Sequence, residues 1–172
     1  MDEETTAINI KSLTIHQNTI IGLTFLIPFL ISGPQLLTGS LANFLLILGA
    51  RYVDKKNHLA MSVLPSIAAV LNGLIFGKFT IFLVYFLPFI WLGNFVLIKS
   101  ILYLKKRSSL SLSLVFSVIL KTIILYAVAL IFFNFKFVPE IFLTAMGVFQ
   151  LATGIIGGVM FLGINKLLKV KY

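Results

Sequence analysis

Cysteine is absent from the 172 residues. The chain therefore forms no disulfide and offers no thiolate to zinc or to an iron–sulfur cluster. Acidic residues are nearly absent too: Asp2, Glu3, Glu4, Asp54 and Glu140 are the whole set. The two histidines, His16 and His58, stand far apart, so no metal cluster can be drawn. No Ser–His–Asp set or carboxylate pair can be assembled from what is buried, and there is no Walker-type glycine loop. These gaps read as a chain that is not an enzyme, holds no cofactor or metal, and hydrolyses no ATP. Charge of any sign is scarce. Only 11% of residues are charged and 59% are hydrophobic, against about 25% and about 45–50% in soluble domains.

What is present is apolar sequence in long runs, with a mean hydropathy of +1.08. A membrane span takes about 20 apolar residues. Runs of that kind cover about residues 13–32, 35–50, 59–76, 80–104, 110–133 and 141–162. The expected fold is an all-α membrane protein, a six-transmembrane-helix bundle forming one domain over residues 1–172. The turn at Gly33-Pro34 is the weakest division. The opening residues are polar and acidic, without the positive start and small-residue cleavage site of a secretory signal.

Basic residues orient this bundle, because cytoplasmic loops are enriched in Lys and Arg. With six spans, one side collects Lys11, Arg51, Lys55, Lys56, Lys99, Lys105, Lys106, Arg107, Lys166, Lys169 and Lys171, and the other only Lys78 and Lys136. Both termini are thus expected to be cytoplasmic, in a cell membrane. The +9 net charge is read as topology rather than as nucleic-acid binding.

The one basic residue left over is Lys121. A helix entering at Leu110 and rising about 1.5 Å per residue brings it roughly 16 Å deep, near the midplane. A lysine there costs about 2.5–3.5 kcal/mol on insertion scales. Ser109, Ser113, Ser117 and Lys121 recur every fourth residue, which makes one polar stripe facing the bundle interior or a water-filled cavity. No carboxylate is expected at that depth. Lys121 then stays neutral, meets carbonyls and aromatic faces, or receives an anionic group from outside the chain. Without intramembrane Asp, Glu or His, a proton relay or ion pump is disfavoured.

Two other runs share a pattern. Gln35-Leu-Leu-Thr38-Gly39 is followed by Ala42 and Asn43, and Gln150-Leu-Ala-Thr153-Gly154 by Gly157 and Gly158. The polar and small residues fall on one helical face in both. They suit close helix packing, or a cavity into which Gln35, Asn43 and Gln150 project. The fourth run adds Pro88-Phe-Ile-Trp91-Leu-Gly93-Asn94. Its proline frees a carbonyl, and an interior Trp91 beside Asn94 is what a small-molecule site offers. The candidate ligand-binding residues are Lys121, Asn94, Gln35, Asn43, Gln150 and Trp91.

Six helices in under 200 residues, with polar groups gathered inside, resemble a substrate-binding S component of the energy-coupling-factor vitamin transporters. Residues 35–43, 87–94, 120–121 and 150–154 also resemble a family of small prokaryotic membrane proteins that look S-component-like and are sometimes labelled "iron hydrogenase". The resemblance covers roughly residues 20–165. It implies capture of a micronutrient or vitamin from the outer side of a prokaryotic cytoplasmic membrane. It also implies two kinds of partner, a transmembrane coupling subunit and cytoplasmic ATPases. Residues 19–32 lack the Ala-x-x-x-Ala docking pattern of many S components, and Gly154-x-x-x-Gly158 is an alternative close-packing face. A chain without cysteine does not ligate a hydrogenase cluster.

The expected function is therefore a membrane-embedded substrate-binding subunit of an uptake transporter. Lys121 meets a polar or anionic ligand group, and Trp91 and phenylalanines stack on its apolar part. The alternative is a non-catalytic membrane anchor or assembly subunit, in which the Gln/Thr/Gly faces are subunit contacts.

Overall fold

The computed structural model describes residues 17–31, 34–73 and 77–167, which are helical with no strand among them. The helices are α1 (Gln17–Leu30), α2 (Gln35–Tyr52), α3 (His58–Asn72), α4 (Leu83–Leu104), α5 (Leu110–Asn134), α6 (Ile141–Met146) and α7 (Val148–Leu167). Short 3-10 turns at Lys55–Asn57 and Gly77–Phe82 lead into α3 and α4. Three stretches are long and apolar enough to cross a membrane: Phe79–Leu104, Leu110–Asn134 and Ile141–Leu167. α1, at 14 residues, and α3, at 15, rise only about 21–23 Å at 1.5 Å per residue.

Local sequence explains where these elements begin and end. Pro34 caps α2, at a position where a missing N–H costs nothing. Gly73 closes α3 at φ 75°, the left-handed conformation that glycine adopts without a Cβ penalty. The Ser109 hydroxyl accepts from the Leu112 N–H at the head of α5, a side-chain cap. The last expected run is not one continuous helix. It breaks at Gly147 (φ −101°, ψ −98°) into α6 and α7, where an added Cβ would press on the Leu143 carbonyl at 2.7 Å and the Tyr126 ring at 2.9 Å.

Burial is inverted relative to a water-soluble protein. Along α5, Ser113, Ser117 and Lys121 are buried, while Leu112, Phe116, Ile119, Leu120 and Ile123 are exposed. The same holds on α7, where Thr153 is buried and Ile155, Ile156 and Val159 are exposed. In water such a surface would be a very large apolar patch; in lipid it is the solvated face. This arrangement and the three long apolar helices are consistent with a membrane protein.

α2 lies centrally, packed on α7, α1, α4 and α3, with α4–α5 and α1–α3 pairs around it. Two apolar clusters fill the bundle. One, with Leu46, Met61, Leu97, Ile98 and Phe161, lies toward the Arg51–His58 loop. The other, with Leu83, Phe86, Leu125, Phe142 and Met146, lies toward the opposite end and contains stacked Phe86 and Phe142 rings. Glycines set how closely α7 approaches. A Cβ on Gly157 would meet the Phe44 nitrogen at 2.7 Å and the Ser40 oxygen at 2.9 Å, and one on Gly154 would strike Val118 of α5.

Gly157→Ala is therefore expected to destabilise the bundle by about 1–3 kcal/mol, as overpacking against backbone does. Gly163→Ala, with nothing within 4 Å of the added carbon, is expected to be neutral or stabilising. Thermal unfolding in detergent measures both, and equal shifts would contradict the close α2–α7 approach.

Candidate functional site

Between the two apolar clusters, five of the six candidate residues come together. Gln35, Asn43, Asn94, Lys121 and Gln150 line one cavity of about 90 Å³, whose wall also includes Thr38, Ser66, Thr153, two helix prolines, Pro28 and Pro65, and apolar side chains such as Leu46, Leu83, Ile90 and Met146. The sixth, Trp91, is half-buried and does not line it. Its indole Nε1 donates to the Ser66 hydroxyl at 2.8 Å, so it holds a wall residue in place.

Lys121 is 5% exposed. Its Nζ donates to Asn43 Oδ1 at 2.7 Å, and no salt bridge reaches it among the described residues. Asp54 and Glu140 are both exposed, away from the cavity. The stem of Lys121 packs along α4 at Gly93, where an added Cβ would sit in van der Waals contact, 3.4 Å from Lys121 Cγ. Ser113 and Ser117, below it on the same face, are fully buried, and Ser109 is the exposed cap of the helix.

From Lys121 a directed chain of hydrogen bonds runs across α2 to α7. Asn43 Nδ2 donates to the Gly39 carbonyl at 3.0 Å and to Thr153 Oγ1 at 3.1 Å, and Thr153 Oγ1 donates to the Gln150 carbonyl at 3.2 Å. The Gly39 carbonyl fixes the rotamer of Asn43, because only the amide nitrogen can face it. The asparagine oxygen is left for the lysine. A buried lysine held by a single neutral acceptor is an expensive arrangement.

Two other amides are similarly oriented. Gln35 Nε2 donates at 2.9 Å to the Ala145 carbonyl, just before the break at Gly147. Asn94 Nδ2 donates at 2.9 Å to the Ser62 carbonyl of α3, one turn from Pro65. The Asn94 oxygen, in a residue 2% exposed, has no partner among the described residues. Most buried side-chain oxygens do have one.

The paired Gln/Thr/Gly patterns serve both purposes open to them from sequence. Gly39, Gly154 and Gly157 make the helix contacts, and Gln35, Asn43 and Gln150 face the cavity. Sequence reasoning passed over Thr38, Ser66, Pro28 and Pro65 as wall residues. The prolines carried a readable signal, since α1 and α3 each hold one inside the helix. Ser66 carried none, because its part depends on which way α3 is rotated.

Lys121→Met keeps the stem and removes the amine. Removing the buried amine relieves its desolvation cost, which offsets the roughly 1–3 kcal/mol of leaving Asn43 Oδ1 without its partner. The variant is expected to unfold at the same or a higher temperature than the parent in detergent. A loss of several degrees would show that the bond to Asn43 supports the fold.

Compared with known proteins, the chain matches no family model, no curated protein and no solved structure.

Proposed function

We propose that the protein is a membrane-embedded substrate-binding subunit for uptake of a small polar solute, of the S-component kind. The observation that carries this reading is the convergence of Lys121, Asn43, Asn94, Gln35 and Gln150 on one interior cavity. Evenly spread packing contacts do not require a lysine without a carboxylate, whereas a site for a polar solute does. The cavity also sits at breaks in helical regularity: two proline-bearing helices and the Gly147 discontinuity. In membranes, irregular backbone is tolerated where it is buried in protein or lines a cavity.

In this reading α1, α2, α3, α4, α5 and the broken α6–α7 are six spans. The basic loops after α2 and α4 are cytoplasmic, as are both termini, in the cytoplasmic membrane of a prokaryote. A coupling subunit and cytoplasmic ATPases would drive release. The assembly-subunit alternative assigns the Gln/Thr/Gly faces to partner chains. Those faces are filled within the chain by α2, α5 and α7, which favours the first reading.

Two measurements test it. Mass spectrometry of small molecules released from protein purified in mild detergent is expected to find one specific compound in wild type and none in folded Lys121→Met. The same compound in both would remove Lys121 from binding and overturn the site. Topology is checked with single cysteines placed in this cysteine-free chain. Lys56→Cys and Lys106→Cys are expected to be shielded from an impermeant thiol reagent in intact cells, and Lys136→Cys to react. Reaction at Lys56→Cys would overturn the orientation.

A further inference from the structure

On the premise that the cavity is the solute site proposed above, the two glutamines in its wall define a second pole for the solute, apart from Lys121. α2 and α7 run side by side in the same direction. Gly39 meets Thr153, Asn43 bonds Thr153 and lies close to Gly157, and Arg51 reaches Asn165. Gln35 stands one turn before Gly39, and Gln150 three residues before Thr153. Both amides are therefore at one level on neighbouring helices, about 4.5–6 Å along the axes from the Gly39–Thr153 contact. Both line the cavity.

Their hydrogen-bonding capacity is largely unspent. Gln35 Nε2 gives one N–H to the Ala145 carbonyl, which fixes that amide and leaves its oxygen free. The Gln150 side chain has no partner among the described residues; only its backbone carbonyl is taken, by Thr153. Both glutamines are half-buried. The sealed-in side-chain atoms without a partner, among the described residues, are Asn94 Oδ1 and Ser117 Oγ. The open glutamine atoms are not among them, so they keep accessible surface, and hydrocarbon has nothing to offer them.

The open set is two amide oxygens that accept, and the Gln150 NH2 with the second N–H of Gln35 that donate. A carboxylate would answer the donors and repel both oxygens. An ammonium would answer the oxygens and leave the N–H groups unmet. A hydroxyl has one hydrogen for two oxygens. A carbamoyl group, –CO–NH2, has two N–H donors and a carbonyl with two lone pairs, so it answers both oxygens and one N–H from each glutamine.

We infer that the glutamine pair is a subsite for a carbamoyl group, as in a primary amide or a ureide, carried by the solute whose other end meets Lys121. Its N–H groups go to Gln35 Oε1 and Gln150 Oε1, and its carbonyl accepts from the two Nε2 groups. Selectivity for the neutral end of the solute is thus held by residues other than the Lys121–Asn43 pair.

The test is calorimetric titration of the full-length protein in detergent with succinamate and three acids of matching length. These are levulinate, with a methyl ketone in place of the amide, succinate and 4-hydroxybutanoate. Succinamate is expected to bind at least about tenfold more tightly than each, the effect of leaving glutamine oxygens unpaired in a desolvated site. In Gln150→Leu its advantage over levulinate is expected to fall below about threefold. Gln35→Met is the second variant and is expected to act in the same direction. Thermal unfolding reports whether each is folded, and the wild-type series depends on neither.

Levulinate bound as tightly as succinamate overturns the inference, as does tighter binding of succinate or 4-hydroxybutanoate. A preference that survives in both folded variants overturns it as well. If none of the four binds, the compound released from the purified protein decides. A carbamoyl group in that compound, with its loss from folded Gln150→Leu, upholds the inference. A compound without one, or one retained in that variant, overturns the inference and leaves the solute site standing. If nothing binds and nothing is released, both readings fail.

Discussion

The bond from Lys121 Nζ to Asn43 Oδ1, 2.7 Å long, is the contact on which the interior of this bundle turns. In hydrocarbon an amine has no water to fall back on, so the only tolerable place for it is among acceptors supplied by other helices. That requirement sets the rotation of α5, whose serines share the buried face while leucine, isoleucine and phenylalanine side chains face outward. It also sets α2, because Asn43 must reach the lysine with its oxygen while its nitrogen serves Gly39 and Thr153. The small residues follow: Gly39 and Gly157 bring α7 close enough for Thr153 to meet Asn43.

The cavity is the space left when these polar constraints are met. Apolar clusters lie on either side of it along the bundle. One helix break and two helix prolines adjoin it. At the discontinuity at Gly147 the chain turns from α6 into α7, and the Gln35 amide donates to the Ala145 carbonyl beside it. Trp91 acts one layer out, anchoring Ser66 by its indole. Polar groups, breaks and supports all converge on one spot, an expensive arrangement that simple packing would not retain.

Much of this was legible in the sequence, for definite physical reasons. Several runs are bounded by a recognisable stop, Pro34, Arg51 and its neighbours or Lys105–Arg107, but the third was read on to residue 76, past the Gly73 cap that ends α3. The four-residue spacing of Ser113, Ser117 and Lys121 pointed inward because a polar stripe cannot face lipid. Asn43, Gln35 and Gln150 shared faces with glycines, so helix approach and cavity lining were readable together. The break at Gly147 was not readable. Its neighbours are ordinary apolar residues, and the crowding that favours glycine there comes from the Leu143 carbonyl and from Tyr126 of α5, distant in sequence. Trp91 was placed inside but one layer too close, because depth along α4 does not fix rotation. Thr80–Phe82, the second half of the 3-10 turn at Gly77–Phe82, were absorbed into the fourth run, since apolarity continues through them.

The account's central claim is that the Lys121 amine is a ligand group and not only a packing element. The most direct measurement is the side-chain nitrogen resonance of Lys121 in bilayer-embedded protein labelled with ¹⁵N-lysine, assigned by its loss in Lys121→Met. Addition of the compound that co-purifies is expected to move that resonance while Lys55 and Lys106 stay where they are. A Lys121 signal unmoved when the protein is saturated would contradict the account.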